Sequence, residues 1–427
     1  MNRPSSVPEK NVSRKSKVCN QAAAGGEVFS SSSAVQAETS LLSMFKRDSE
    51  ASKIYLAGQG DEDGQTFELR LVGKIKQQLS VDPTIRPEYP SPLGLTEFTK
   101  QATKVTLGRS LKPIVENRVM AVQTPGYNAA VRLGAELLRV WSGNSPWSGP
   151  VYLSTPCDDS LASIFQAAGI HDIRQYYYWD DKQRGVCLEK LVEDLERAPQ
   201  QSVVVLYASG HYPTGADLSE NQWEIITQII KGRRLFPFFL LPALALSTGH
   251  LGRDARPIQK CAALGMELIC AQSFSHCFGQ YGEGVGHLLC VLKDNYFLMA
   301  KQSQAKEIVK SLWAQPSVMG AHIVAAILSN PAHFIEWQEE IKRLVERCML
   351  VRLVLRERLR HLGCPGFWDH LTHQRGLFSC IGLNPQVDFL AYSKHVYLLP
   401  NGCLNVSALN GGNLEYVAES IHQAASL

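Results

Sequence analysis

Val119-Met120-Ala121-Val122-Gln123-Thr124-Pro125-Gly126-Tyr127-Asn128-Ala129 carries an apolar, partly β-branched run up to Thr124, a Pro-Gly turn, and the first residues of a helix-period run. This is strand, tight turn, helix start, the place where unpaired helix N–H groups can meet a phosphate. Every βα turn has this form, so the segment by itself specifies no ligand. The same alternation continues outward. Strands are predicted over Val119 to Thr124, Val151 to Thr155, Ile173 to Trp179, Val203 to Ala208, Leu235 to Leu241, Met266 to Ala271 and Val285 to Leu292. Helices fall between them, over Asn128 to Trp141, Leu161 to Ala168, Leu188 to Arg197 and Glu220 to Gly232. Short strands alternating with longer helical runs predict a doubly wound α/β sheet. Beyond Asn330-Pro331 a long charged helix is predicted over Glu336 to Leu362, then Gly363-Cys364-Pro365-Gly366 and mixed short elements. That shift in composition predicts a second, smaller domain. Residues 1 to 26, polar, small and basic, read as a flexible tail, with a serine run at Ser30 to Ser33.

Composition narrows the function. Of the 427 residues 45% are hydrophobic and 19% charged, and the formal net charge is +3, too small a field to favour nucleic acid or anionic lipid. The longest apolar run, Phe236 to Leu246, is interrupted by Pro237 and Pro242 and falls short of the ~18 residues of a membrane span. The 11 cysteines are scattered, several inside apolar runs, as expected of reduced buried thiols in the cytosol. Arg3, Arg14, Lys15 and Lys17 with nearby serines suggest a presequence, but Pro4, Pro8 and Glu9 interrupt any amphipathic period, so cytoplasmic residence is the reading.

Several motifs carry nothing. Gly279, Gly282, Gly284 and Gly286 do not have the dinucleotide spacing, nor does Gly58-Gln59-Gly60. Cys270, His276, Cys277, His287 and Cys290 match no paired-ligand pattern for zinc, so no metal is expected. No Gly-x-Ser-x-Gly elbow supports a hydrolase.

A family resemblance is more specific. Glu88-Tyr89, Leu93-Gly94-Leu95-Thr96-Glu97-Phe98, Glu116-Asn117-Arg118-Val119, Val151-Tyr152-Leu153-Ser154, Ala167-Ala168-Gly169, His211-Tyr212-Pro213-Thr214-Gly215, Phe236-Pro237-Phe238-Phe239, Cys270-Ala271-Gln272-Ser273-Phe274-Ser275 and Gly382-Leu383-Asn384-Pro385 together resemble aspartate aminotransferases of the cytosolic type. The likeness runs from about Val28 to the C-terminus. It implies the fold type I architecture of class I pyridoxal-phosphate enzymes, with a large doubly wound mixed-sheet domain at 66–342. A smaller α+β domain would come from both chain ends, 27–65 and 343–427, with an N-terminal arm starting at Val28-Phe29, after a disordered tail at 1–26. It also implies a homodimer and pyridoxal phosphate as cofactor.

Residue by residue, the resemblance also implies losses. Where the family has Ser-Phe-Ser-Lys-Asn-Phe-Gly, this chain has Ser273-Phe274-Ser275-His276-Cys277-Phe278-Gly279, so His276 stands at the lysine that forms the Schiff base and moves the α-proton. An imidazole can act as a base but cannot make that covalent link, so covalent cofactor binding is not expected. The acidic partner of the pyridinium nitrogen is Leu240, the tyrosine three residues on is Ala243, the asparagine before Pro-Thr-Gly is Tyr212, and the stacking tryptophan is Asp158. The phosphate arginine aligns with Gly284. Losing its bidentate contact removes roughly 1.5–3 kcal/mol. Gly126, Asn128, Ser273, Ser275 and the cross-subunit Tyr89 are retained or partly retained phosphate positions. For the substrate, the α-carboxylate arginine is Cys403, the side-chain carboxylate arginine is Lys310, and a backbone-recognition glycine falls near Ala57 to Gly60.

Two functional readings follow. In the first, the chain lacks normal aspartate:2-oxoglutarate transamination and acts as a non-catalytic dimeric scaffold or binding protein, with Tyr127, Asp158 and Tyr212 filling the old cofactor cavity. In the second, a residual or altered pyridoxal-phosphate reaction survives, transamination or aspartate racemisation, with cofactor held noncovalently and His276 as base. A heterodimer with an active relative, lending Tyr89 and Lys310 across the interface, is a third arrangement.

Overall fold

The structure is a computed structural model describing residues 41–58, 69–85, 88–141, 147 and 149–427. The tail at 1–26, the arm at Val28-Phe29, and Gln59 and Gly60 lie outside the described residues.

Seven strands form one sheet: β1 (Val119–Pro125), β2 (Val151–Thr155), β3 (Ile173–Tyr177), β4 (Val203–Tyr207), β5 (Phe236–Leu241), β6 (Leu268–Ser273) and β7 (Val285–Val291). Their order is β1-β7-β6-β5-β4-β2-β3. Only β7 runs antiparallel to its neighbours, pairing Val291 with Val119 on one side and Gly286 with Ser273 on the other. The sheet is therefore mixed, and the apolar runs show why it is covered on both faces. In β4, Val203, Val205 and Tyr207 join one apolar cluster, whereas Val204 and Leu206 join the other. β5 repeats this with Phe238 and Leu240 against Phe239 and Leu241. A strand buried on both faces must read as continuously apolar.

Helices supply the two covers. α1 (Tyr127–Trp141) and α2 (Ser160–Ala167) bury Val131, Leu137 and Phe165 on one face. α3 (Leu188–Arg197) and α4 (Glu220–Gly232) bury Leu191, Leu195, Trp223 and Ile226 on the other. α4 begins where the sequence predicts because Ser219 and Gln222 form a reciprocal cap: the Gln222 N–H donates to Ser219 Oγ at 3.3 Å and the Ser219 N–H to Gln222 Oε1 at 2.8 Å.

Several boundaries differ from expectation, among them the strand predicted over Met266 to Ala271, which runs Leu268–Ser273. The strand predicted over Ile173 to Trp179 stops at Tyr177, because Trp179–Asp180 turns off to pair antiparallel with Gly185–Val186. The long helix α5 (Pro331–His361) starts five residues before the predicted Glu336, at a proline suited to the first helical position. Asn330 caps it by accepting the N–H groups of Ala332 and His333. α5 is continuous across residues 342 and 343, where the resemblance puts the border between domains.

The first described segment is stitched to the last part of the chain. Ile54–Tyr55 pairs in parallel with Val396–Tyr397, and the Asp48 carboxylate accepts the Tyr397 hydroxyl at 2.7 Å while pairing with His395 at 2.7 Å. Phe378–Cys380 pairs antiparallel with Cys403–Asn405. No helix among the described residues is long and apolar enough to cross a membrane.

Candidate functional site

Parallel strands present their C-terminal ends at one edge of the sheet, and the loops leaving β1, β4, β5 and β6 there surround a cavity of about 520 Å³. This volume falls within the range of small-molecule sites. Of the residues singled out from the sequence, Gly126, Asn128, Asp158, Tyr212, Ala243, Ser273, Ser275, His276 and Gly284 line it, together with Ala57.

One end is built by the β1–α1 turn. Gly126 has φ +91°, and the Thr124 hydroxyl donates to the Gly126 carbonyl at 2.9 Å, holding the turn before the first N–H groups of α1. Two glycines bring β7 against it. A Cβ on Gly126 would stand 3.8 Å from the Gly284 Cα, and one on Gly286 would stand 2.1 Å from the Gly126 carbonyl oxygen. Ser273 Oγ accepts the Ser275 N–H at 3.1 Å and Ser275 Oγ accepts the Val285 N–H at 3.1 Å, which leaves both hydroxyl hydrogens with no protein acceptor among the described residues. A helix start and two available O–H donors make this end favourable to an anion.

The β4 loop forms a second wall. His211 has Nδ1 2.8 Å from Thr214 Oγ1 and Nε2 3.1 Å from Ser154 Oγ, and its ring stacks on Tyr178 at 3.9 Å. Burial pushes its pKa down to about 3, so it is a neutral structural group at pH 7. Asp217 fixes this loop by accepting the Gly210 and His211 N–H groups, each at 2.9 Å, and the Ser247 hydroxyl at 2.6 Å.

His276 closes the cavity after β6, packed edge-on against Tyr281 at 5.4 Å. Its Nδ1 has no hydrogen-bond partner. Burial lowers its pKa more than the Pro242 carbonyl raises it, so the imidazole is neutral at pH 7, and its unpartnered Nδ1 is itself buried. Among the described residues no lysine lines the cavity.

The remaining singled-out residues lie elsewhere. Leu240 is 0% exposed, paired in register with Tyr207 and Ala271 inside the apolar cluster rather than on the cavity wall. Cys403 is 0% exposed opposite Cys380, in a small cluster with Trp179 and Ala216. Tyr89 is 90% exposed, and Lys310 lies on the surface of helix Leu298–Leu312, paired with Glu307 at 2.9 Å.

The expectation that Tyr127, Asp158 and Tyr212 fill the cavity is corrected: it is open, and they form its walls. Each is drawn aside by a partner. Tyr127 packs against the apolar cluster beneath α1, Asp158 accepts the N–H and hydroxyl of Ser160 at 2.9 and 2.8 Å, and Tyr212 packs edge-on against Phe378 at 5.4 Å. Cys270, Cys277 and Cys290 are buried, as is His287, whose Nδ1 lies 2.6 Å from Gln272 Nε2, and among the described residues no group of three metal-ligating side chains comes together.

Sequence reasoning missed Asp217, Tyr281 and Arg375, the last of which reaches the cavity from the C-terminal part of the chain. None lies in a motif; only the folded contacts identify them. It also missed Asp254, fully buried behind Ser247 and accepting the Ser247 and Thr248 N–H groups, each at 3.1 Å. Burial raises the Asp254 pKa to about 7, against the hydrogen bonds from Thr248 and Ser247 that lower it. A folded-state pKa above the unfolded one means that the native state keeps a proton which the unfolded chain releases. The stability this contributes is complete below about pH 4 and is lost as pH rises towards 7, roughly 4 kcal/mol for a displacement of about 3 in pKa. Urea midpoints of the wild type and Asp254→Asn should therefore shift relative to each other in the variant's favour between pH 5 and 8. A pH-independent difference would contradict this.

Comparison with known proteins identifies the architecture. The family model for aminotransferase class I and II matches residues 58–421. A Gallus gallus protein named "Aspartate aminotransferase, cytoplasmic" is 41% identical over 387 residues, covering 90% of this chain and 94% of the relative. A Bos taurus protein named "Putative aspartate aminotransferase, cytoplasmic 2" is 35% identical, covering 91% and 94%. Among solved structures, the aspartate aminotransferase from Saccharomyces cerevisiae cytoplasm superposes with a TM-score of 0.85 at 29% identity, covering 90% of this chain and 95% of that one. An aromatic-amino-acid aminotransferase from Burkholderia pseudomallei, covalently bound to pyridoxal phosphate, also gives 0.85 at 29% identity with the same coverage. With its mixed seven-stranded sheet and a cavity at the strand ends, the chain belongs to the pyridoxal-phosphate-dependent class I and II aminotransferase family, as a fold type I homologue of the aspartate aminotransferases.

Proposed function

We propose that this protein binds a pyridoxal-phosphate-type ligand reversibly and lacks the family's normal aspartate:2-oxoglutarate amino transfer, serving as a dimeric binding protein. The observation that carries this reading is the cavity wall, whose described residues include anion donors at one end and a histidine but no lysine. The residues fit noncovalent holding of the cofactor. Gly126 and Asn128 at the start of α1, with the Ser273 and Ser275 hydroxyls, would hold its phosphate. When bound in this family, the cofactor supplies an electron sink for chemistry at the substrate's α-carbon. His276 can take a proton at Nδ1 but has no primary amine to link to the cofactor. Leu240, sealed in the core, offers no charge to a ring nitrogen.

The unpartnered Nδ1 of His276 also supports the second reading, an altered reaction on a noncovalently held cofactor, transamination or aspartate racemisation, with His276 as base. Loss of lysine, ring-nitrogen acid and carboxylate arginine at once argues against full turnover, because these groups serve one transition state. A homodimer in the cytoplasm, large domain at 66–342 and small domain from 27–65 and 343–427, completes the proposal. The exposed side chains of Tyr89, Tyr296 and Met299 are apolar surface suited to such an interface. A heterodimer with an active relative would use the same surface.

Equilibrium dialysis tests the reading together with an amino-transfer assay. Binding of pyridoxal phosphate should be fully reversed by dialysis, and turnover of aspartate with 2-oxoglutarate should fall roughly a thousandfold or more below that of an active aspartate aminotransferase. Turnover within tenfold of an active enzyme would overturn it.

A further inference from the structure

We infer that Arg375 is the carboxylate-binding residue of this cavity, so that its ligand carries a phosphate at the Gly126 end and a carboxylate at the Arg375 end. The inference rests on the proposed pyridoxal-phosphate-type ligand and adds the second anionic group.

Arg375 is the one lysine or arginine among the described residues lining the cavity. Its guanidinium is held at one edge only: Nη1 donates to the carbonyls of Thr372 at 3.0 Å and Gln374 at 3.2 Å and touches Met349 Sδ at 3.3 Å. These acceptors are neutral, and none of the ion pairs among the described residues includes Arg375. A guanidinium has five donors in a planar fork, so a carboxylate can be taken in two parallel bonds.

A second cation lies close behind. Arg352, only 1% exposed, donates to Ser379 Oγ at 2.9 Å and to the carbonyls of Gly376 at 2.7 Å and Phe378 at 3.0 Å, again all neutral. Burial, and then the charge of Arg375, lower its pKa to about 10, with Cys348 and Asp217 acting in the opposite direction. The Arg375–Phe378 wall therefore carries two guanidinium groups that repel and that no carboxylate neutralises directly. An anion in the cavity beside Arg375 relieves that repulsion.

The backbone holds the arginine in place. The Arg375 N–H donates to the Gly215 carbonyl at 2.6 Å, and Gly215 has φ +67°. A Cβ on Gly215 would lie 2.6 Å from the Phe378 carbonyl and 3.0 Å from that of Arg375, so this seam closes only on glycine. The described lining also includes Tyr212, Ala243 and His276, none charged at pH 7. Asp158, the acidic residue among the described lining, accepts the N–H and hydroxyl of Ser160 at one carboxylate oxygen, Oδ1. The α-carboxylate charge that the resemblance places at position 403 is thus supplied from position 375.

Calorimetric titration of the full-length protein separates the claims, with pyridoxamine 5′-phosphate as the one-anion probe and N-(5′-phosphopyridoxyl)-L-aspartate as the probe carrying added carboxylates. Wild type should bind the aspartate adduct roughly 10- to 100-fold more tightly than pyridoxamine phosphate. Arg375→Gln should abolish that difference while leaving pyridoxamine phosphate affinity within about threefold, and Arg375→Lys should restore part of it. Equal affinity of wild type for the two probes, or an equal loss of both in Arg375→Gln, overturns the role of Arg375. The wild-type comparison decides this even where a variant fails to fold. Binding of neither probe by wild type overturns the proposed function and this inference with it.

Discussion

Leu240→Asp, the substitution that would put an acid back at the position the family reserves for one, is expected to cost roughly 3–5 kcal/mol of stability and restore no chemistry. Leu240 is 0% exposed and lies in β5 between Tyr207 of β4 and Ala271 of β6, sharing its apolar cluster with Phe238 and Ile269. Tyr207 is itself buried, its phenol pKa pushed well above the usual range chiefly by desolvation. The register partners and cluster neighbours of Leu240 are apolar or aromatic and offer no cation to a new carboxylate. An unpaired charge there either remains ionised at high cost or takes up a proton, and neither form supplies a fixed negative charge at the cavity. Urea unfolding of the variant gives the cost. A loss below about 1 kcal/mol would mean that the environment of Leu240 is far more polar than its packing shows.

Gly286→Ala carries the second large effect. Gly286 lies in β7 opposite Thr124, where an added Cβ would meet the Gly126 carbonyl oxygen at 2.1 Å and is obstructed again by Thr124 Oγ1. The obstruction is backbone and a short side chain, so β1 and β7 must separate, at roughly 3 kcal/mol for overpacking of this kind. That separation displaces the turn before α1, so affinity for pyridoxamine phosphate should fall at least tenfold. Gly252→Ala is the control. Gly252 sits in the helical turn Leu251–Asp254 with nothing within 4 Å of the new Cβ, and the change there should be neutral or stabilising by up to about 1 kcal/mol. Similar losses at both positions would refute the steric account of the β1–β7 contact.

The sheet was legible because strands buried on both faces must be written in apolar residues, as β4 and β5 are. Its ends were less so. Trp179 extends the apolar run of β3 although the chain has already turned away, and α5 starts before its charged stretch because Asn330 and Pro331, not periodicity, set its first turn. At the site, the turn at Gly126 and the serines beyond β6 could be placed from local pattern and resemblance, since each sits at a strand end. Arg375 could not. It follows Gln374 and precedes Gly376 in no recognisable motif, and reaches the cavity only because its backbone is bonded to the Gly215 loop far earlier in the chain. Cys403 illustrates the converse: position suggested a cavity wall, but pairing with Cys380 turns it into a small apolar cluster. Likewise Asp158 reads as a charge replacing a stacked ring, and only the fold shows that one of its carboxylate oxygens accepts two bonds from Ser160.

The central claim is that this cavity holds its ligand without a covalent bond from the protein. Borohydride reduction of the wild-type protein with pyridoxal phosphate, followed by peptide mass mapping and run beside His276→Lys, tests it most directly. We predict no specific adduct on wild type and a stoichiometric one at position 276 of the variant. A stoichiometric adduct on a single lysine of the wild-type chain would contradict the account.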